Sequence, residues 1–277
     1  MKLKLIKTCL TFITIGFLPA QSFRAFYDTK YKTDSTSAEF VTKNMILDYN
    51  IDNSVFYSYK LYKSDSTIVS NEALNKITKT VSRDYVFFVK KDLKNGSVKK
   101  YYNILLDLFE ISEKLPKFNW KLSKDSKVIG QMKCQKATTS YKGRDWIAWF
   151  TTDIPVHEGP YIFNGLPGLI VALNDTKNNY EFSLVKILKG SEDLYVKNPK
   201  LIKSIPVTIH QLNKVYTDYY NDPYKEAKTG KVKMKFVDES GKPVTPNFNE
   251  LTKQKQFTIR KNNNPIELLE AIKYPGD

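Results

Sequence analysis

The sequence predicts a mainly β fold with some helix, of the α+β class, in which an antiparallel meander forms a curved sheet or partial barrel. The chain of 277 residues contains 18 Tyr and 16 Phe, and aromatic side chains favour pleated, half-buried strands. Residues 118–187 contain several short apolar segments separated by turn-forming residues, a pattern typical of strands that pair in series. Residues 207–220 place apolar side chains at helical spacing, so we also expect an amphipathic helix packed against the sheet.

The N-terminus has the pattern of a cleavable signal peptide. The first seven residues contain three lysines, and residues 8–18 are uncharged and mostly apolar. This segment is too short to span a bilayer, which needs about 20 residues, but it suits a signal peptide core of roughly 7–15. Cleavage is expected after Ala20, so residues 1–20 are predicted to be removed and residues 21–277 to form a single domain. The mature chain, with no transmembrane span, would work in the periplasm, at the periphery of the outer membrane or outside the cell.

The composition argues against several classes of function. The net charge is +15, but the lysines are scattered and the chain contains only four arginines, the residue that bidentate recognition of phosphates and bases favours. We therefore expect no nucleic-acid partner. With only Cys134 left after processing, no internal disulfide is expected. Two histidines, far apart in sequence, supply too few ligands for a predicted metal site, and the sequence indicates no cofactor. A monomer is expected, with an unknown partner: an apolar ligand or an outer-membrane protein.

The first part of the mature chain is predicted to contain strands and one helix. Residues 40–50 and 54–62 are predicted to pair as strands, and residues 72–81 to form a short helix. Residues 85–90 and 98–102 are predicted to form a hairpin around Asn95-Gly96, because this dipeptide is a strong hairpin signal.

The remaining segments are predicted from the same patterns. The central strands are expected at residues 120–122, 128–140, 146–152, 168–173 and 180–187. After the amphipathic helix, which Pro223 is expected to stop, residues 228–249 are predicted to be a mobile loop rich in Lys, Gly, Pro and Asn. Residues 257–259 are predicted to form a last short strand and residues 265–272 a capping segment.

Part of the central segment carries a family resemblance. It contains an unbroken hexapeptide within a wider pattern of aromatic, glycine and small residues: Gly165, Leu166, Pro167, Gly168, Leu169 and Ile170, preceded by Trp120, Gly130, Cys134, Tyr141, Gly143, Arg144, Trp146, Trp149, Pro155, Gly159, Pro160 and Phe163. This pattern resembles the GLPGLI family, also labelled Porph_ging, of exported proteins from Gram-negative bacteria, with a signature core at residues 118–187. The resemblance implies an envelope protein of uncharacterised activity, sometimes encoded near outer-membrane transport genes, and it brings no catalytic residue.

The hexapeptide has a structural interpretation and a functional one. Pro167 presets φ at the second position of a turn and Gly168 is expected to supply a positive φ at the third, as a type II turn requires. The chain would then enter a buried strand at residues 169–173. The alternative is that a ligand or partner approaches the bare backbone at Gly165 and Gly168.

Catalytic motifs are missing from the sequence, with one residual alternative. Cys134 could act as a nucleophile with His157 as its base and Asp153 or Glu158 as the residue that orients the base. The spacing of Met132 and Cys134 is equally that of a small buried core residue on a strand.

The leading hypothesis is a non-enzymatic binding or carrier protein for an apolar or extended ligand. Its possible ligand or partner surface comprises Trp146, Trp149, Tyr161 and Phe163, although tryptophans here are also expected to pack in the core. The alternatives are an accessory protein of an outer-membrane transporter and a Cys-dependent hydrolase or transferase.

Overall fold

A computed structural model describes residues 22–74, 83–190 and 194–275 of the chain. Within these ranges, twelve strands form one open sheet with β12 and β7 at its edges, in the order β12-β6-β5-β4-β3-β2-β1-β11-β10-β9-β8-β7. The strands are β1 (Phe23–Tyr31), β2 (Val41–Tyr49), β3 (Asn53–Ser58), β4 (Val89–Asp92), β5 (Ser97–Ile104), β6 (Asp107–Lys114), β7 (Lys121–Ile129), β8 (Met132–Tyr141), β9 (Arg144–Thr151), β10 (Leu169–Asp175), β11 (Tyr180–Lys189) and β12 (Ile205–Pro206). The helices are α1 (Tyr59–Ala73), α2 (Leu194–Lys197), α3 (Ile209–Asn221), α4 (Lys225–Lys228) and α5 (Phe248–Lys261), with single 3-10 turns at Pro199–Leu201 and Leu268–Glu270. The predicted mainly β fold with some helix is confirmed.

Two antiparallel meanders share this sheet. The first comprises β1 to β6 and the second β7 to β11, and they join where β1 pairs with β11 from Phe23↔Lys189 to Tyr31↔Tyr180. Only β12 runs parallel to its neighbour, β6. The central strand β1 was not predicted, although its alternate side chains Ala25, Tyr27 and Thr29 are buried.

The strand predicted at residues 54–62 ends early, at Ser58. The Ser58 hydroxyl accepts a hydrogen bond from the Leu61 amide at 3.0 Å and donates one to the Asp84 carbonyl at 2.7 Å. This side chain caps helix α1, so the chain turns into a helix where the alternating pattern suggested a longer strand. The helix predicted at residues 72–81 falls largely on residues 75–82, outside the described residues, and its first residues are the end of α1.

The hairpin predicted around Asn95-Gly96 is present, and a second hairpin replaces one predicted strand. Strands β4 and β5 pair up to Asp92↔Ser97, and Gly96 in the four-residue connection has φ +63°. The single strand predicted at residues 128–140 is instead a hairpin of β7 and β8, which turns at Gly130 with φ +61°.

The amphipathic helix predicted at residues 207–220 is confirmed as α3. It begins at a capping box in which Thr208 and Gln211 satisfy each other's backbone amides, and its Leu212 packs in a core cluster with Ile104 and Phe109. The prediction of a last short strand at residues 257–259 is wrong.

Residues 257–259 belong to helix α5, which Asn247 caps. The half-buried positions along α5 form one face with a spacing of three to four residues, so the period of burial is helical: Phe248, Leu251, Thr252, Lys255, Gln256, Ile259 and Arg260.

The apolar core lies on both faces of the sheet. On β2 and β3, Leu47 and Phe56 face the larger cluster, while Ile46 and Tyr57 face a second cluster on the other side. Strands that alternate between two buried faces explain the high aromatic content. Across the described ranges, no helix combines the length and the apolar character needed to cross a membrane.

Candidate functional site

The signature hexapeptide folds differently from the predicted type II turn. Gly165 has φ +89°, but the φ of Gly168 is not positive, so the prediction of a left-handed Gly168 is wrong. Glycine is required there for another reason: a Cβ at position 168 would lie 2.0 Å from the Thr151 carbonyl oxygen, whereas a Cβ at Gly165 would meet nothing within 4 Å. The backbone at Gly168 therefore lies in close contact with the backbone at the end of β9.

Hydrogen bonds hold the signature segment against the sheet. The His157 ring Nδ1 lies 2.8 Å from the Leu166 carbonyl oxygen, and the Ile170 amide donates to the Glu158 carbonyl at 2.9 Å. The buried Glu158 carboxylate accepts a hydrogen bond from Ser54 at 2.9 Å and forms an ion pair with buried Lys91. These contacts support the structural interpretation of the hexapeptide, because the group closest to the bare Gly168 backbone belongs to the chain itself.

Most of the side chains predicted to form a ligand or partner surface are buried. Trp146 and Phe163 are each 1 % exposed and Tyr161 is 5 % exposed, while Trp149 is half-buried beneath the Lys127 ammonium group. The four therefore do not form one exposed patch. Trp146 points inward from β9, and Phe163, in the connection between β9 and β10, packs against it with ring centroids 4.7 Å apart, as large aromatic rings do in a core.

The structure does not bring Cys134 and His157 together in one site. The buried Cys134 thiol donates to the Met132 carbonyl at 3.5 Å, and His157 contacts Leu166. A cavity of about 390 Å3 adjoins Cys134, and the described residues that line it include Asp153 but neither histidine. Burial raises the pKa of the Cys134 thiol, which disfavours the thiolate that a nucleophile needs.

We expect Cys134 to react slowly with thiol reagents while the protein is folded. Its burial and raised pKa both reduce the accessible thiolate. Labelling with a chromogenic disulfide reagent near neutral pH should be complete only after denaturant is added, whereas the exposed control Ser35→Cys should be labelled at once at its new thiol. Rapid labelling of the unmodified protein would contradict this and restore the nucleophile hypothesis.

A cleft lies between β5, α3 and the C-terminal end of the chain. It consists of two adjoining cavities of about 580 Å3 and 540 Å3. They share part of their lining: Tyr102, Tyr161, Tyr216, Asn262, Pro265 and Ile266. Residues 262–274, which we call the C-terminal strap, form one wall. The sequence analysis identified this segment only as a cap, and of its predicted site residues only Tyr161 lies in the cleft.

Arg144 fixes the C-terminal strap to the sheet. Its buried guanidinium group donates to the Ile266 carbonyl at 3.1 Å, to the Pro265 carbonyl at 2.7 Å and to the Asn264 side chain at 2.5 Å. It also pairs with the buried Asp175 carboxylate at 3.0 Å. One arginine at the start of β9 thus holds three consecutive residues of the strap, using the fork of donors that lysine lacks.

Asn264 ties the strap to β1 as well. Its amide donates to the Thr33 carbonyl at 3.2 Å, and its side chain donates to the Lys32 carbonyl at 2.8 Å. The Tyr180 hydroxyl donates to the Asn264 carbonyl at 2.5 Å. The wall of the cleft is therefore held by β1, β9 and β11 together.

The strap brings a pair of carboxyl groups to the cleft. Glu267, which is 4 % exposed, accepts a hydrogen bond from the Tyr161 hydroxyl at 2.9 Å and pairs with the Lys100 ammonium at 2.7 Å. Its carboxyl group also forms a hydrogen bond with that of Glu270, which in turn pairs with Lys142. Both carboxyl groups line the larger cavity, so they form its polar end.

The two carboxyl groups titrate differently. Burial and the hydrogen bond with Glu270 raise the pKa of Glu267 from 4.5 to about 7, against the opposing effect of Lys100. Burial also acts to raise the pKa of Glu270, but the hydrogen bond with Glu267 and the contact with Lys142 outweigh it, so that pKa is lowered. The pair therefore shares one proton in mildly acidic solution.

We expect the free energy of unfolding to fall as the pH rises from about 4.5 to about 7 because of Glu267. Its pKa is raised in the folded state, so the folded protein binds the proton more tightly than the unfolded chain and loses this advantage as the proton leaves. The loss should be about 2 kcal/mol, at 1.36 kcal/mol per unit of pKa shift with an allowance for coupling to Glu270. Urea unfolding at several pH values would measure it.

Glu267→Gln removes the titrating group, so its unfolding free energy should vary less with pH over this range. Glu39→Gln, at an exposed position, should keep the dependence of the unmodified protein. Equal slopes for all three proteins would show that Glu267 ionises as an ordinary carboxylate.

In residues 22–74, 83–190 and 194–275, no three His, Cys, Asp or Glu side chains are grouped so that they could hold a metal ion.

Comparison with known proteins gives a limited set of similarities. No curated protein matches the chain. Structures of PNGF-II are similar at 16 % identity: one in space group C2 has a TM-score of 0.48 and covers 68 % of this chain and 31 % of its own, and one in P21 has 0.49, 69 % and 32 %. A DUF1329 family protein from Desulfovibrio piger ATCC 29098 has 8 % identity, a TM-score of 0.24 and coverage of 66 % and 92 %. The chain spans about a third of the length of the PNGF-II chains that it matches.

The signature region gives a direct family match. The model of a family described as a protein of unknown function (Porph_ging) matches residues 139–172. This stretch includes Arg144, which holds the strap, and Tyr161, which lines the cleft. Over residues 139–172 the chain matches the Porph_ging family, and the resemblance predicted from the GLPGLI hexapeptide is confirmed there.

Proposed function

We propose that the protein is a non-enzymatic binding protein that holds a small ligand with an apolar body in the cleft. The observation that carries this proposal is the larger cavity, whose volume of about 580 Å3 lies within the range of about 300–1,000 Å3 found for small-molecule sites. A filled core without such a cavity would have argued against a carrier.

The chemistry of the cavity walls supports an apolar ligand. Much of the wall is aromatic or aliphatic: Tyr102, Tyr161, Ile209, Leu212, Tyr216, Ile266, Ile272 and Tyr274. The polar part of the lining comprises Asn213, Arg260, Asn262, Asn263, Glu267, Glu270 and Lys273. Binding sites typically combine a largely apolar lining with a few polar groups that orient the ligand. Tyrosine rings contribute large contact areas with few rotatable bonds, so they lose little entropy when a ligand binds.

Titration with the apolar fluorescent probe N-phenylnaphthylamine tests this proposal. We expect saturable binding with one probe per chain and a blue-shifted emission, because the probe would leave water for an apolar cavity. The cavity-filling variant Ala271→Trp should weaken binding by about tenfold or more, since a lost 1.4 kcal/mol corresponds to tenfold. Ala271 lines the larger cavity, and its side chain lies on the strap rather than in the core.

Ala38→Trp is the matched control. Ala38 is exposed and lies outside both cavities of the cleft, so this variant should bind the probe as the unmodified protein does. If the probe does not saturate, or if Ala271→Trp and Ala38→Trp bind it equally, the cleft is not the binding site.

The proposal places this binding outside the cytoplasm. The basic residues and short apolar segment at the N-terminus support export, although residues 1–20 lie outside the described residues. Mass spectrometry of the protein from its native cell envelope should find a chain that starts near Gln21. Recovery of the chain with Met1 intact in the cytoplasm would contradict export.

The two alternatives from the sequence have less support. A Cys-dependent hydrolase would need a base at Cys134, and neither histidine lines the cavity there. An accessory role at an outer-membrane transporter would need an exposed apolar patch and stays a prediction, for which the exposed Leu122 and Val128 on the edge strand β7 are the most suitable residues.

A further inference from the structure

We propose that the cleft selects a ligand whose apolar body ends in a carboxylate, and that Arg260 pairs with this carboxylate at the mouth of the larger cavity. We define the mouth by four residues that line this cavity: Arg260, Asn262, Asn263 and Lys273. This inference rests on the proposed function of the cleft. It adds the chemical class of the ligand and its orientation, with the charged group towards the solvent.

The larger cavity has a buried end and an end that is open to solvent. Glu267 is 4 % exposed, and the hydrogen bond from Tyr161 holds its carboxyl group in the interior. Asn262, Asn263 and Lys273, by contrast, are exposed. An ionised group is costly to remove from water, so the charged group of an amphiphilic ligand would stay at the mouth while its apolar body enters the cavity.

The carboxyl pair at the buried end already has cationic partners. Lys100 pairs with Glu267 at 2.7 Å, and Lys142 pairs with Glu270. Glu113, which also contacts Lys100 at 2.9 Å, does not line the cavity. Each carboxyl group that lines the cavity thus has an ammonium group of the protein beside it, and the buried end needs no charged group from a ligand.

The cations at the mouth have no carboxylate partner within the described ranges. The Arg260 guanidinium group donates to the Tyr220 hydroxyl, a neutral acceptor, at 2.5 Å. In residues 22–74, 83–190 and 194–275, no ion pair joins Arg260 or Lys273 to an acidic side chain. A guanidinium group has five N–H donors, so Arg260 retains donors for a ligand. The charge that a ligand meets at the mouth is therefore positive.

An amide group beside Arg260 can add a hydrogen bond to the carboxylate. The Asn263 side-chain oxygen accepts hydrogen bonds from the amide and the hydroxyl of Ser35, at 3.2 Å each, so its NH2 group remains to donate. Carboxylate oxygens only accept hydrogen bonds, and those from a guanidinium group are strong because they are charge-assisted. The mouth is thus complementary to a carboxylate, whereas an ammonium group would be repelled by Arg260.

The apolar part of the lining suits a hydrocarbon chain. Ile209, Leu212 and Tyr216 of α3 line the cavity together with Ile266 and Ile272 of the strap. Burial of each CH2 group contributes about 0.8 kcal/mol, so a chain of several carbons supplies most of the affinity. The carboxylate then supplies the selectivity.

Isothermal titration calorimetry with three matched probes, octanoate, octanol and octylamine, tests the inference. At a pH of about 7.5 and low salt, we expect octanoate to bind about tenfold more tightly than octanol, and octylamine to bind most weakly. Because the carboxylate would lie near the solvent, NaCl at about 0.5 M should reduce the preference for octanoate over octanol.

Arg260→Gln should bind octanoate and octanol with similar affinity, because the side chain stays polar but loses its charge. Its affinity for octanol should be unchanged, which separates the loss of the ion pair from a general disturbance of the cleft. Arg260→Lys keeps a cation and should retain part of the preference for octanoate. Lys253→Gln is the matched control, since Lys253 is an exposed residue of the same helix and lines neither cavity of the cleft; it should behave as the unmodified protein does.

Equal binding of octanoate and octanol, or a preference for octylamine, overturns this inference while the proposed function stands. An equal loss of the preference in Arg260→Gln and Lys253→Gln also overturns it, because the net charge of the protein would then account for the preference. Should Arg260→Gln fail to fold, Lys273→Gln serves in its place and should weaken the binding of octanoate severalfold but not that of octanol. If none of the three probes binds although N-phenylnaphthylamine does, only this inference is overturned; if N-phenylnaphthylamine also fails, the proposed function is overturned as well.

Discussion

Gly168→Ala is expected to lower the free energy of unfolding by about 3 kcal/mol or more, at the upper end of the cost of overpacking a core. The new Cβ would lie 2.0 Å from the carbonyl oxygen and 2.6 Å from the carbonyl carbon of Thr151. Both are backbone atoms at the end of β9, where Thr151 pairs with Leu169, so no side chain can rotate to make space. Relief requires β9 and β10 to separate, and urea unfolding would measure the cost.

Gly165→Ala is the matched control within the same hexapeptide. Gly165 has a positive φ of +89° but open space around its Cβ position, so the expected cost is only the strain of a left-handed backbone, about 1–2 kcal/mol. A larger loss at Gly165 than at Gly168 would show that backbone conformation, rather than close approach, determines the need for glycine in this motif.

Arg144→Lys is expected to lower the free energy of unfolding by about 3 kcal/mol and to loosen the C-terminal strap. Lysine can keep one ion pair with Asp175, but it cannot also donate to Asn264, Pro265 and Ile266 as the guanidinium group does. Buried acceptors that lose a charged donor account for an effect of this size. Hydrogen exchange should become faster in residues 262–270, and N-phenylnaphthylamine should bind more weakly because this segment forms a wall of the cleft.

Lys214→Ala provides a comparison at an exposed ion pair. The Lys214 and Asp218 side chains are 70 % and 63 % exposed, so the change should alter the unfolding free energy by less than about 0.5 kcal/mol. If Arg144→Lys leaves hydrogen exchange in the strap unchanged, the strap is held by its apolar contacts rather than by Arg144.

The sequence predicted elements whose signals are local. The prediction of helix α3 was correct because the helical apolar period follows a local start signal, the capping box of Thr208 and Gln211. The strand expected at residues 54–62 was too long because Ser58 caps helix α1 by accepting a hydrogen bond from the Leu61 amide. The same hydroxyl group is held by donating to the carbonyl of Asp84, a residue 26 positions away. The alternation of β1 is visible in Ala25, Tyr27 and Thr29, but the sequence analysis predicts no strand between the signal peptide and residue 40.

The candidate site could not be predicted from local patterns. The Glu267 side chain binds that of Lys100, which lies 167 positions away in the sequence. The Arg144 side chain binds that of Asn264, which lies 120 positions away. In sequence these are ordinary polar or charged residues, and nothing in their spacing distinguishes them from the many solvated polar side chains of the chain. Tyr161 was identified because it lies in the signature segment, and the structure shows it buried with its hydroxyl group directed at Glu267.

The pairing of β1 with β11 has a consequence for the order in which the chain can fold. The edge of β1 that faces away from β2 has no partner until residues 180–189 are available, so the two meanders cannot be joined before about two thirds of the 277 residues have been made. Contacts between segments so distant in sequence form slowly. We therefore expect the nascent polypeptide to stay without its central strand pairing until most of its length has emerged, a delay that would favour the proposed export, because an incompletely folded chain is easier to translocate.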